Sequence, residues 1–179
     1  MTYKDHIKVA CYRAAKDHRV VFIGYNVRFG GKGGGAYYGI NEAQLIETPL
    51  AENLMAGIAI GMSLDGYRPV LYFERCDFIL IALDAIVNHL DKMAKLSGGK
   101  FNPCAIIRVV IGNTDKPLYT GLTHTQNFHK ALAKLVSFPV VRLTSNFRVV
   151  PAWEAAYDRL MGGESTLLIE YKDLYEQSD

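Results

Sequence analysis

The sequence predicts a doubly wound α/β fold, a mostly parallel sheet flanked by helices. Three observations lead there. Five short apolar runs, VVFIG, VLYF, CAIIRVVIG, PVVRL and TLLIEY, recur between stretches with helical spacing, the alternation expected of a parallel sheet. The run over 104–112 is apolar without period-two alternation apart from one arginine, so both of its faces are covered. With 179 residues, 50% hydrophobic and 21% charged, the chain is expected to form one domain over 1–179 with a real core.

The elements follow in order. Residues 3–18 read as a helix with Ile7, Ala10, Cys11 and Ala14 on one face. A strand over 19–24 leads into a long loop, 25–44, that contains Gly30, Gly31, Lys32, Gly33, Gly34 and Gly35. A phosphate loop needs Ser or Thr after its lysine, whereas Lys32 is followed by Gly33. The expectation is a flexible loop near a substrate channel. Thr48 and Pro49 are expected to open the next helix, Thr as cap and Pro in the first turn. From Leu54 to Leu64 it carries no charge, which predicts burial on more than one side. It is too short to span a bilayer. Gly57 and Gly61, four apart, offer a face where a second backbone can come close. Asp65 and Gly66 end it, and a strand follows at 70–73.

A long helix is expected over 77–96. Its first half is apolar except for Asp84, which with Asn88 and Asp91 falls on one face; the apolar neighbours of Asp84 predict that this turn is covered. Ser97, Gly98 and Gly99 break the helix. Beyond the 104–112 strand, a loop over 113–123 leads to His124, then come a helix over 126–136, a strand over 139–143, a helix over 150–161 and a last strand over 166–171.

Composition excludes several roles. Net charge is +2 with no run of Lys or Arg, so nothing suggests a nucleic-acid or anionic-membrane surface. Neither a transmembrane segment nor a signal peptide is visible. Cys11, Cys76 and Cys104 are scattered and odd in number, which reads as reduced thiols in a cytoplasmic protein, with no disulfide frame or metal site.

Glu52 is the anomaly. It is the acid at the mouth of an apolar helix. The plain reading is a first-turn acid favoured by the helix dipole. The functional reading is a half-buried carboxylate placed to meet a ligand nitrogen and exchange a proton with it. Here the residues carry a resemblance. TPLAENLMAGIAIGMSLDGYRP, the Phe73 and Phe78 that follow, SGG at 97–99 and GLTHTQ at 121–126 resemble, in order and spacing, the pyrimidine-binding domain of thiamine-diphosphate enzymes. The similarity is greatest to the beta subunit of 2-oxo-acid dehydrogenases, with transketolase sharing the layout.

The resemblance implies that Glu52 hydrogen-bonds the pyrimidine nitrogen and favours the imino tautomer of the neighbouring amino group, which then removes the thiazolium C2 proton. It places Phe78 against the pyrimidine face and His124 at the substrate. It places Glu74 in the cofactor pocket, where the beta subunits tend to carry an apolar residue. Tyr25 is a second departure, at a position where those subunits usually carry an acid. Asp84 matches an acid in a chain of carboxylates that relays protons between paired sites. The family holds the diphosphate and Mg²⁺ with a Gly-Asp-Gly segment, and this sequence has none. The expectation is therefore a subunit lacking the diphosphate-binding and C-terminal domains. A separate chain would complete the site, in a heterotetramer with two copies of each. The substrate would be a 2-oxo acid or a sugar phosphate. Two alternatives stay open: a non-catalytic structural or regulatory partner, and a nucleotide-binding protein using the glycine loop.

Overall fold

The computed structural model describes residues 1–118 and 121–178. Tyr119 and Thr120, inside the loop expected before His124, lie outside the described residues. The helices are α1 (Tyr3–Ala14), α2 (Glu52–Leu64), α3 (Met93–Leu96), α4 (His129–Leu135) and α5 (Asn146–Met161). The strands are β1 (Val20–Gly24), β2 (Leu45–Glu47), β3 (Arg68–Phe73), β4 (Ile106–Ile111), β5 (Val140–Arg142) and β6 (Thr166–Tyr171). They form one sheet of order β2-β1-β3-β4-β6-β5, and every pairing is parallel.

Alternate residues of each central strand serve two apolar layers. Phe22, Val70, Tyr72, Ile106 and Val110 face α1, α5 and the glycine-rich segment. Ile23, Leu71, Phe73, Ile107 and Val109 face α2 and α4. Both faces are therefore covered, which explains the near-continuous apolar runs. Arg108 shares the first face and is wholly buried. Its guanidinium pairs with the Glu170 carboxylate through Nε and, at 2.9 Å, through Nη2, and its Nη1 donates to the Gly33 carbonyl at 2.8 Å.

Several expectations are corrected. The first helix ends at Ala14, not 18, because the Asp17 carboxylate accepts the Arg19 N–H at 2.9 Å and the Gln44 amide donates to the carbonyls of Ala15, Asp17 and Val20. Such side-chain bonds give the backbone an alternative to the helix. The central helix begins at Glu52, not at Thr48. The Thr48 N–H instead continues strand pairing onto the Gly24 carbonyl at 3.0 Å, and the Thr48 hydroxyl caps nothing. A residue before proline favours this extended form. The short edge strand β2 was not foreseen.

The single helix expected over 77–96 is a 3₁₀ helix (Cys76–Ala82), a π turn (Asp84–Leu90) and then α3. Buried Cys76, Ile79, Ala82 and Ala85 fall every third residue, which suits a 3₁₀ stripe better than an α-helical one. Asp84 is exposed, not covered. It accepts from the Asn88 amide at 2.9 Å and lies 3.6 Å from His89. The α2 helix buries one side only, with Met55, Ala56, Ala59 and Ile60 against the sheet. On its other side a Cβ at Gly57 or Gly61 would meet nothing within 4 Å.

The glycine-rich segment packs over the first face through buried Val27, Ala36, Tyr37 and Ile40. Glu47, the last residue of β2, accepts the N–H groups of Asn26 and Arg28 at 2.7 and 2.8 Å. α4 starts at His129 and α5 at Asn146, each a few residues from expectation.

Candidate functional site

The chain leaves β1 toward one face of the sheet and β3 toward the other. The strand order reverses between them, so a crevice opens at their carboxyl ends, where ligands bind in open parallel sheets. Gly24 lets the strands meet there: a Cβ on it would lie 2.7 Å from the Tyr72 carbonyl oxygen. The crevice is lined by Tyr25 after β1, by Leu50, Glu52 and Met55 before and within the first turn of α2, and by Phe73, Glu74 and Phe78 at the end of β3 and beyond. Its enclosed space is about 10 Å³, room for about one water. The crevice is not an enclosed cavity; it opens to the outside of the chain.

Glu52 is the first residue of α2 and only 6% exposed. The unpaired N–H groups of that helix end favour its negative charge. Its carboxylate makes no hydrogen bond or ion pair among the described residues. The residue is buried, yet neither carboxylate oxygen is among the buried polar atoms left without a partner, so the carboxylate reaches the mouth of the crevice and can meet something there. Glu74, half-buried, receives a long contact from the Asn26 amide, 3.4 Å. The structure thus brings together Glu52, Glu74, Phe78 and Tyr25 along one crevice.

His124 joins from the loop after β4. Its ring meets Phe78 edge to face, centroids 5.3 Å apart at 88°, and its Nδ1 lies 3.1 Å from the Thr123 hydroxyl. The backbone of this loop passes so close to β4 that a Cβ on Gly112 would sit 1.9 Å from the His124 carbonyl oxygen. Asp84 stands apart, on the exposed side of the π turn.

Sequence reasoning missed Asp77. It is buried, and its Oδ1 accepts from the Gln126 side-chain amide at 2.9 Å and from the Gln126 N–H at 3.4 Å. Two consecutive residues, Asp77 and Phe78, therefore hold two residues of the next loop, Gln126 and His124. An acid beside a candidate stacking aromatic was the available signal.

A parallel sheet with a crevice at its switch point, at the carboxyl ends of its strands, defines a doubly wound α/β protein. The chain belongs to the family described as transketolase, pyrimidine binding domain, whose sequence profile matches residues 8–177. It is 27% identical over 182 residues to the 2-oxoisovalerate dehydrogenase subunit beta of Bacillus subtilis (strain 168), covering 98% of this chain and 53% of that protein. It is 32% identical over 201 residues to the mitochondrial pyruvate dehydrogenase E1 component subunit beta of Dictyostelium discoideum, covering 99% of this chain and 51% of that protein. The chain thus spans about half the length of the curated relatives it matches. Among solved structures, a split-gene transketolase described as an inactive β4 tetramer superposes with a TM-score of 0.73 at 13% identity, covering all of this chain and 53% of that one. The fold expected from the sequence is the fold observed.

Proposed function

We propose that this chain supplies the pyrimidine-side half of a thiamine-diphosphate site and works with a separate chain that supplies the diphosphate half. One observation carries the reading: the carboxylate of a largely buried residue at a helix N-terminus makes no hydrogen bond or ion pair among the described residues and lies on a crevice walled by an aromatic ring. The residues fit one end of that cofactor. Leu50, Met55 and Phe78 offer apolar contact to a flat ring, Glu52 an acceptor for a ring N–H, and Glu74 a second acceptor for an exocyclic amino group. When bound, the cofactor supplies the electron sink for chemistry next to a carbonyl.

The chain's own residues then do the following. Glu52 would accept from the ring nitrogen and exchange a proton with it. Phe78 fixes the ring plane. His124, edge-on to Phe78, donates to charge developing on a substrate oxygen. Asp84, with Asn88 and His89 beside it, is this chain's contribution to a carboxylate path that the partner completes. The diphosphate and Mg²⁺ are assigned to a partner chain, a reading supported by relatives that are named as beta subunits. Exposed apolar side chains around the crevice support an interface there: Leu50, Leu54, Leu80, Ile81 and Leu122. The assembly is proposed as two copies of each chain, acting on a 2-oxo acid or a ketose phosphate.

Glu52→Gln tests the assignment in the co-expressed pair. The variant should assemble normally, yet slow hydrogen–deuterium exchange at the cofactor's C2–H by about 10²–10⁴-fold. Exchange at the wild-type rate would remove Glu52 from the role.

A further inference from the structure

We propose that Asn26 is a positioning residue: from a left-handed turn it ties the buried Arg108–Glu170 pair to the Glu74 carboxylate on the crevice wall and sets the direction of that carboxylate. The use of Glu74 by a cofactor rests on the reading of the crevice above; the tie itself rests on bonds within this chain.

The glycine-rich segment forms part of the tie. Arg108, paired with Glu170, donates from Nη1 to the Gly33 carbonyl at 2.8 Å, and the Gly33 N–H donates to the Asn26 carbonyl at 2.7 Å. The Asn26 N–H donates in turn to Glu47 Oε1 at 2.7 Å, and its side-chain amide reaches Glu74 Oε1 at 3.4 Å. An ionised carboxylate only accepts, so the amide presents its nitrogen. A continuous path of hydrogen bonds thus runs from the inner ion pair to the crevice, and Asn26 is its branch point. Glu47 anchors the branch, because its second oxygen takes the Arg28 N–H at 2.8 Å. Glu47 ends β2, on the segment that leads to Glu52. The same bonds therefore join the lip that carries Tyr25 to the lip that carries Glu52.

The residue type suits the place. The backbone at Asn26 is left-handed, with φ 59°. Few residues other than glycine enter this region, and Asn and Asp do so most readily. Glycine would fit the turn but has no side chain to reach Glu74. Aspartate would fit it too, but would set a further carboxylate against Glu74 and Glu47. Asparagine joins the turn to a neutral donor. The turn also accounts for a neighbouring glycine. A Cβ on Gly30 would lie 2.8 Å from Asn26 Oδ1, so the chain folds back across the asparagine only without one.

Asn26 and Glu74 are both half-buried, and Glu74 lines the crevice. The Glu74 carboxylate makes no other hydrogen bond or ion pair among the described residues. Its direction is therefore set by the Asn26 amide, and the amide by the bonds behind it.

The test begins with the full chain alone, by NMR. Asn26→Gly removes the amide and keeps a residue suited to the turn. Backbone amide exchange at positions 26, 28 and 33 should stay within about threefold of the native chain, since the bonds there are unchanged. The Glu74 side chain should lose order, read as a fall in its ¹³C order parameter. From the other side, Glu74→Ala should move the Asn26 side-chain NH₂ signals toward those of a solvated asparagine. In the co-expressed pair, Asn26→Gly should raise the Kd for thiamine diphosphate about three- to tenfold, the worth of one hydrogen bond. Asn26→Gly combined with Glu74→Ala should bind no more weakly than Glu74→Ala alone, because the one residue acts through the other. Unchanged order at Glu74 in Asn26→Gly overturns the assignment, as do losses in the pair that add. A collapse of amide protection at 28 and 33 overturns it too, since Asn26 would then serve only the turn. The two readings fail separately: the NMR results need no cofactor, and wild-type C2–H exchange in Glu52→Gln would sink the crevice reading while leaving the tie standing.

Discussion

Glu52 and Arg108 are both charged side chains buried by the fold, and they differ in how that charge is met. Arg108 is fully enclosed by its own chain. Glu170 sits diagonally across the β4–β6 pair, since Arg108 registers with Leu168 and Val110 with Glu170. The Tyr175 hydroxyl donates to the same carboxylate at 2.8 Å, and the rings of Tyr72 and Tyr37 flank the guanidinium. Removing one partner leaves the other buried and unpaired, which costs about 3–5 kcal/mol. Arg108→Met is expected to lose that much in urea unfolding, whereas Arg108→Met with Glu170→Met should recover most of it. A single substitution no worse than the double would show that the pair is not what matters. The sequence showed an arginine in an apolar strand but could not show its partner, because a diagonal contact between neighbouring strands depends on sheet order and register. Glu52 was legible for the opposite reason. Its oddity is local, an acid at the start of an uncharged helix.

At the scale of elements, the long apolar strands could be read because packing and local pattern agree. Three-residue β2 could not, since its pairing and not its composition makes it a strand. The segment after β3 was misread because its apolar run fits several helical periods, and only the sheet beneath selects the spacing of three. Two connections invite tests. The turn from α1 to β1 is tied by Asp17, whose carboxyl is lowered to about 2, chiefly by its bonds with the Arg19 guanidinium. A depressed carboxyl pKa contributes stability that is complete above the unfolded value, about 3.8, and is lost as the pH falls through about 2. The melting temperature of Asp17→Asn should lie below that of the native chain at pH 6, and the gap should close by pH 2. A gap that persists at pH 2 would mean the turn is held by something other than this charge. The second connection is the Asp77–Gln126 clamp. Asp77→Ala should raise amide exchange over 121–128 by about tenfold or more, the worth of a hydrogen bond to a charged acceptor, while Asp77→Asn, which keeps an acceptor, should restore much of the protection. Equal protection in all three chains would leave the His124 loop positioned by Phe78 alone.

The whole molecule places the crevice, because the switch point exists only once six strands have taken their order, and no single stretch of sequence contains it. The same order leaves the outer side of α2 and the 3₁₀ turn uncovered around that crevice. Leu54 is 50% exposed and Ile81 60%, with Gly57 and Gly61 between the larger side chains of α2, and Leu122 on the His124 loop is 88% exposed. An apolar surface of this kind, beside a site with one open wall, is better suited to a partner than to water. A charge there should therefore break assembly without touching the fold. Leu54→Arg points into solvent in the lone chain, so its melting temperature should stay within about 1 °C of the native value, as for surface substitutions that change stability by under ~0.5 kcal/mol. If the proposed partner chain covers this face, the same arginine would be buried in the pair without a counter-charge, a penalty of several kcal/mol. Analytical ultracentrifugation should then find the two chains separate at concentrations where the native pair is fully associated. An assembly that survives Leu54→Arg undiminished would move the interface off this face and leave the open wall of the crevice to be closed from another side.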